Sequence, residues 1–186
     1  ITNIDHEHLE NYGGFGELQQ AFVDFANKVP FFGAVVACAD DVNVAAVLPK
    51  VTRRLITYGL TSPTAEITAD DVTIGPMAVS ARVHRRTSAH GPAAMLGPLE
   101  LPVPGRHNLL NALATVTVGL ELDVPFAQIA SGLKAFTGAE RRFEVRGEPN
   151  GILIVDDYGH HPTEIAAVLA AAAEFALELQ RNPTHA

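Results

Sequence analysis

The densest chemistry in the sequence lies in Asp156-Asp157-Tyr158-Gly159-His160-His161-Pro162-Thr163-Glu164. Two carboxylates and two imidazoles packed this closely can exchange protons near neutrality and hold a charged substrate. The apolar run Ile152–Val155 leads into them as a strand, and Pro162 is placed to open a helix. In an open α/β sheet, ligands bind in the crevice beyond the carboxyl end of such a strand.

Three other groups carry possible chemistry. Thr2-Asn3-Ile4-Asp5-His6-Glu7-His8 alternates carboxylates with imidazoles at a strand end. It reads either as metal ligands, oxygen and nitrogen donors together, or as a solvated polar loop. In Pro104-Gly105-Arg106-His107-Asn108-Leu109-Leu110-Asn111-Ala112, Asn108 and Asn111 share a helix face. An amide is both donor and acceptor, which suits an adenine edge. N-capping would explain Asn108 but leaves Asn111 unexplained in an apolar helix. Arg141-Arg142 offers guanidinium forks for phosphate oxygens in a hinge, or a solvated pair answering Glu140 and Glu144.

The elements that must position these groups can be read from periodicity. Ile1–Ile4 reads as the tail of a strand, and Glu17–Lys28 has helical apolar spacing. Ala34–Cys38 is a buried strand, Val42–Leu48 a short helix stopped by Pro49, and Leu55–Tyr58 another strand. From Glu66 to about Val103 the pattern alternates and is rich in turns, a β-rich excursion in which Ala89–Pro98 reads as a loop. Two helices come next, Asn108–Leu120 and Pro125–Phe136, the first opened by Asn108. Residues 138–142 form a polar connector and a domain boundary. Beyond it come strands at Phe143–Val145 and Ile152–Val155, a long helix from Pro162 to Gln180, and a frayed tail.

The chain has 186 residues, 47% of them hydrophobic, enough for one domain and a fraction of another. A net charge of −8 argues against nucleic acid or an anionic membrane as partner, while local arginines and helix N-termini can still bind phosphate. The single cysteine, Cys38, excludes an intrachain disulfide and fits a reducing cytoplasm. It reads as an inert core thiol. No apolar run approaches the roughly 20 residues of a membrane span. The chain opens on Ile inside an apolar run, as an internal piece of a longer protein would.

In this order and spacing the blocks resemble the Mur ligase family. The resemblance rests on Ile1-Thr2-Asn3-Ile4 with His8, Pro30-Phe31-Phe32-Gly33, Gly105-Arg106-His107-Asn108 with Asn111-Ala112, Arg141-Arg142-Phe143, and Asp156 through Glu164. It covers about residues 1–170. It implies an α/β fold: residues 1–140 form mostly the second half of a central ATP-binding domain with a β-rich insert. Residues 141–186 then form the hinge and the start of a Rossmann-like C-terminal domain that binds an amino acid.

The resemblance implies an ATP-dependent ligase of peptidoglycan precursor synthesis that joins L-alanine to UDP-N-acetylmuramate through an acyl phosphate, with Mg2+. The alternatives are the murein-tripeptide recycling branch of the family and a non-catalytic nucleotide-binding module. By position, His8 resembles the family's magnesium-site histidine. Asn108 and Asn111, with His107 beside them, resemble its adenine contacts. Arg142 resembles the arginine near the γ-phosphate, and Asp157 the acidic residue that meets the nucleotide. His160 and His161 fall near the incoming amino acid. The family's G-x-x-x-x-G-K-[ST] phosphate loop does not occur in this sequence, so this stretch alone is expected to be inactive.

Overall fold

In the computed structural model the described residues are 1–6, 9–75, 77–87 and 91–181. Helix α1 (Phe15–Asn27) precedes strand β1 (Val35–Cys38), helix α2 (Val42–Val47) and strand β2 (Leu55–Tyr58). Strands β3 (Ile67–Ile74), β4 (Val79–Arg86) and β5 (Ala93–Leu101) lead to helices α3 (Arg106–Glu121) and α4 (Phe126–Lys134). The chain closes with β6 (Glu144–Gly147), β7 (Ile154–Asp156) and α5 (Pro162–Arg181).

The first five strands form one sheet in sequence order. β1 and β2 pair in parallel from Val35↔Leu55 to Cys38↔Tyr58. β3 joins them in parallel at Tyr58↔Ile67, and β4 and β5 continue antiparallel. The β-rich stretch expected between Glu66 and about Val103 is present, and its three strands extend the parallel sheet. Ala93–Pro98, read from sequence as loop, is part of the edge strand β5. Pro98 lacks an N–H to donate, and an edge strand is where that is tolerated. Gly97 has φ 150, and a Cβ there would come within 2.9 Å of the Phe126 ring on α4.

Both faces of β1 are covered, as expected for a parallel strand with a continuous apolar sequence. Ala37 faces a core with Ile4, Leu18, Val23, Val44 and Val47, so α1 and α2 cover that side. Cys38 faces the larger core, where Tyr58, Ile67, Val83 and Leu99 meet Leu109, Leu113 and Val116 of α3. Each fully buried aliphatic chain contributes about 1.5–3 kcal/mol by leaving water. Cys38 is 2% exposed, consistent with an inert thiol.

Residues 1–4 form no strand by backbone pattern, yet they run along β1. The Ile1 amine donates to Val36 O at 2.7 Å, and Cys38 N–H donates to Ile1 O at 2.9 Å. α3 begins at Arg106, two residues before the expected opening at Asn108, with Gly105 as its N-cap. Its inward positions Leu109, Ala112, Leu113 and Val116 follow the helical repeat and fix the rim position of the two asparagines. β6 and β7 form an antiparallel hairpin that presents α5. The tail beyond Arg181 lies outside the described residues.

Candidate functional site

The site begins at Gly105. Its φ of 94 is a left-handed geometry that glycine adopts without strain, and a Cβ there would lie 2.9 Å from His107 Nδ1. The glycine therefore lets the His107 ring fold back over the start of α3. Burial pushes the imidazole below its ordinary pKa. Asp157 opposes that shift and Arg142 adds to it, so both charged groups lie within electrostatic reach of His107. Three of the residues singled out from sequence, with about 35 or more positions between His107 and the other two, are thus brought together.

Asn108 is half-buried, and its Nδ2 donates to Pro104 O at 2.7 Å, which ties the amide to the turn before α3. One amide hydrogen and the carbonyl oxygen remain available. Asn111, one turn on, is exposed. The pair presents an anchored amide beside an exposed one at the helix rim.

Asp157 is committed to the backbone. Phe143 N–H donates to its Oδ2 at 2.7 Å and Gly159 N–H to its Oδ1 at 2.7 Å. It thereby staples the connector to the loop after β7. Phe143 has φ 49 and is 8% exposed, and Arg141 has φ 55. Left-handed backbone at bulky residues costs on the order of 1–3 kcal/mol and needs surroundings that enforce it. The Asp157 staple, together with Tyr158 N–H donating to Arg141 O at 2.7 Å, supplies that enforcement. Gly159 is required here for closeness, since a Cβ would lie 2.9 Å from Asp157 Oδ1.

The two arginines divide. Arg141 lies over the Tyr158 ring at 4.8 Å, a cation–π contact, and its backbone N–H donates to Glu144 Oε2. Arg142 reaches Glu164 Oε1 at 3.4 Å through Nη1 and is exposed. Glu164 sits in the first turn of α5, and its other oxygen accepts His160 N–H at 3.4 Å, which ties the helix start to the loop before it. Burial would raise the Glu164 carboxyl, but the His160 N–H and the Arg142 guanidinium outweigh it and hold the carboxyl below its ordinary range. Sequence reasoning did not assign Glu164 a role. The signal for it was the Pro162-Thr163-Glu164 run at a helix start.

His160 is exposed, with Nδ1 3.2 Å from Tyr158 O and its ring edge-on to Tyr158 at 5.3 Å. His161 is half-buried; its carbonyl accepts Ile165 N–H, and its Nδ1 lies 3.8 Å from Asp5 Oδ2. His160 therefore faces outward, while His161 faces the segment that carries Asp5. His8, singled out as a metal ligand, lies outside the described residues. Among the described residues no three His, Cys, Asp or Glu side chains gather as a metal site.

Residues 1–119 match the Mur ligase middle domain, and residues 141–182 match the Mur ligase, glutamate ligase domain. The chain belongs to the Mur ligase family. It is 48% identical over 174 residues to a UDP-N-acetylmuramate–L-alanine ligase of Solibacter usitatus, covering 94% of this chain and 35% of that protein. To the enzyme of the same name from Pelobacter propionicus it is 50% identical over 173 residues, 92% of this chain and 36% of the relative. The chain thus spans about a third of the length of the curated relatives it matches. Among solved structures, the UDP-N-acetylmuramate-alanine ligase of Thermotoga maritima superposes with a TM-score of 0.71 at 27% identity, over 91% of this chain and 36% of that one. The MurF ligase of Thermotoga maritima in complex with ADP superposes at 0.72 over 93% of this chain and 38% of that one; at 20% identity it shows the fold alone. Among the described residues, no helix is long and apolar enough to cross a membrane.

Proposed function

We propose that this chain supplies one wall of an ATP-dependent ligase site that joins L-alanine to UDP-N-acetylmuramate, within a longer cytoplasmic protein. Residues 1–140 are the central-domain part, and residues 141–186 the hinge and the start of the amino-acid-binding domain. The observation that carries this reading is the placement of Arg142 and Asp157 within electrostatic reach of His107, which folds back over the start of α3 beside the Asn108–Asn111 rim. The curated relatives that match nearly the whole chain carry that activity in their names.

The chemistry divides into two steps. The γ-phosphoryl group of ATP passes to the muramyl carboxylate, giving an acyl phosphate and ADP. The alanine amine then attacks the acyl carbon, loses a proton and expels phosphate. Asn108 and Asn111 offer donor and acceptor atoms to the adenine edge. A neutral His107, held so by burial, packs beside the nucleotide without adding charge. The exposed Arg142 guanidinium, which meets Glu164 at 3.4 Å, is a cation that can turn to phosphoryl oxygens. Asp157 fixes the loop that brings His160 and His161 toward the amine.

A magnesium ion would supply charge neutralisation for the phosphoryl group, and His8 is the residue that would hold it by resemblance. The described residues do not frame a site for it. Asp5 is held by Thr163, and Glu164 is held by Arg142 and His160.

Calorimetric titration of the 186-residue chain with ADP tests the nucleotide wall. A binding heat that Asn111→Ala weakens about tenfold supports it, an effect of the size expected for one lost hydrogen bond to a base. An unchanged heat in Asn108→Ala and Asn111→Ala would refute the adenine assignment. Because the phosphate loop is absent from this sequence, the chain by itself is expected to form no product from ATP, L-alanine and UDP-N-acetylmuramate. Turnover by this chain alone would overturn that expectation.

A further inference from the structure

Two stretches at opposite ends of the sequence are joined by a side-chain hydrogen bond among the described residues. The Thr163 hydroxyl donates to Asp5 Oδ2 at 2.6 Å across a separation of 158 residues. A hydroxyl bound to an ionised carboxylate at this distance is at the strong end of its class. The His161 ring, with Nδ1 3.8 Å from the same oxygen, is too far for a hydrogen bond, so the hydroxyl carries the contact.

Asp5 is presented from a fixed position. The preceding Ile4 is 1% exposed, and its carbonyl accepts Asn43 Nδ2 at 2.7 Å. The His6 ring, next in the chain, stacks on Phe15 of α1 at 3.9 Å. Thr163 is equally fixed in its own unit, because it lies in the first turn of α5 between His161 and Glu164. A carboxylate at the start of a helix is also favoured by the helix dipole.

The covalent link between the two units is less regular. Between α4 and β6 the backbone is left-handed at Gly138, Arg141 and Phe143, with φ of 93, 55 and 49. Such a connector does not of itself set the orientation of the β6–β7 hairpin and α5, whereas a specific contact at the far end does.

We propose that Asp5 and Thr163 form a docking latch that seats the loop of residues 156–164 against the part of the chain that carries α1 and α3. Asp5 and Thr163 are then positioning residues. They touch no substrate but place Asp157 and His161 on the site described above, and the inference rests on that reading for what the latch serves.

The latch is tested by pulsed electron resonance distances on the 186-residue chain. Spin labels go at Ala46→Cys and Ala170→Cys, both exposed positions, while the native Cys38 is buried and stays unlabelled. The unmodified latch is expected to give one short-distance population. Thr163→Val, which removes only the hydroxyl, lowers the ratio of docked to undocked chains about tenfold, and Asp5→Ala does the same. Thr163→Ser restores the docked population, a rescue that a packing role for the threonine methyl would not give. The double variant falls no further than either single one.

A Thr163→Val chain with native circular dichroism and the same single distance would overturn the latch, as would single effects that simply add. These distances are read without nucleotide. Loss of ADP binding with the latch response intact therefore refutes the nucleotide site and supports the latch. An absent latch response with ADP binding intact refutes the latch alone.

Discussion

Replacing Asp157 by alanine should loosen the connector before it affects anything else. Its carboxylate accepts two backbone N–H groups at 2.7 Å, from Phe143 and Gly159, both partly buried. A hydrogen bond to a charged group contributes about 1.5–3 kcal/mol net. Two such bonds, reduced for partial exposure, amount to roughly 2–4 kcal/mol of local opening free energy. At about 1.4 kcal/mol per decade, hydrogen-exchange protection of the Phe143 amide should fall between roughly 30-fold and several hundred-fold. Asn at this position should fare almost as badly, because its amide nitrogen would face one of the two N–H donors. Asp156→Ala is the matched control. Asp156 meets Arg146 at 3.0 Å and Arg141 at 3.8 Å on the surface, and its loss should change protection less than about fivefold. Native two-dimensional exchange spectra of the three variants and the unmodified chain decide the matter. If the Phe143 amide in Asp157→Ala stays as protected as in the unmodified chain, the staple is not what holds the left-handed connector.

Asp40 makes a comparable case in the central part. Burial would raise its carboxyl, but the Leu60, Ser62 and Thr61 N–H groups outweigh that and hold it below the ordinary range. Its stabilisation is present above the unfolded carboxyl pKa of about 3.9 and is lost as pH falls below it. Asp40→Ala should cost about 2 kcal/mol at pH 7 and flatten the acid limb of stability, measured by urea unfolding between about pH 3 and 7. His107 titrates in a higher window. Burial first, then Arg142, depress its imidazole against the pull of Asp157, so the unfolded chain takes up a proton before the folded one does. Stability should therefore decline as pH drops below about 6.5, and His107→Gln should remove that slope in the same urea series. Asn111→Ala should weaken ADP binding in calorimetry with little change in melting temperature. Asn108→Ala should lower both, since its Nδ2 also holds Pro104 O.

Periodicity made most of the fold legible. β1 could be read because a strand covered on both faces is apolar without interruption, and α3 because Leu109, Leu113 and Val116 recur at the helical period. β5 could not be read. Gly91, Pro92, Gly97 and Pro98 all signal turns locally, and only the pairing with β4, from Val79↔Leu101 to Arg86↔Ala93, makes the segment extended. Non-local hydrogen bonds overrode local punctuation there, as they can on an edge strand. The same limit hid the continuity of the sheet. A single parallel register pair, Tyr58↔Ile67, joins the antiparallel strands to β1 and β2, and no residue pattern encodes it.

At the site, residue types were legible and their commitments were not. Asp156 and Asp157 are adjacent and chemically identical in sequence, yet one meets surface arginines while the other is consumed by two backbone amides. His160 and His161 are likewise equivalent as letters, and the start of α5 turns one outward and the other toward Asp5. Glu164 attracted no role because a glutamate in a first helical turn is ordinary, although it is the partner that holds Arg142 in place. A carboxylate with both oxygens taken by the backbone is a poor base and a good strut. The loop that reads in sequence as a cluster of acids and bases is therefore better understood as a rigid carrier. Asp157 and Glu164 set its shape, and the groups that can still meet a ligand include the remaining amide atoms of Asn108, the Asn111 amide and the His160 imidazole, with the Arg142 guanidinium once it leaves Glu164.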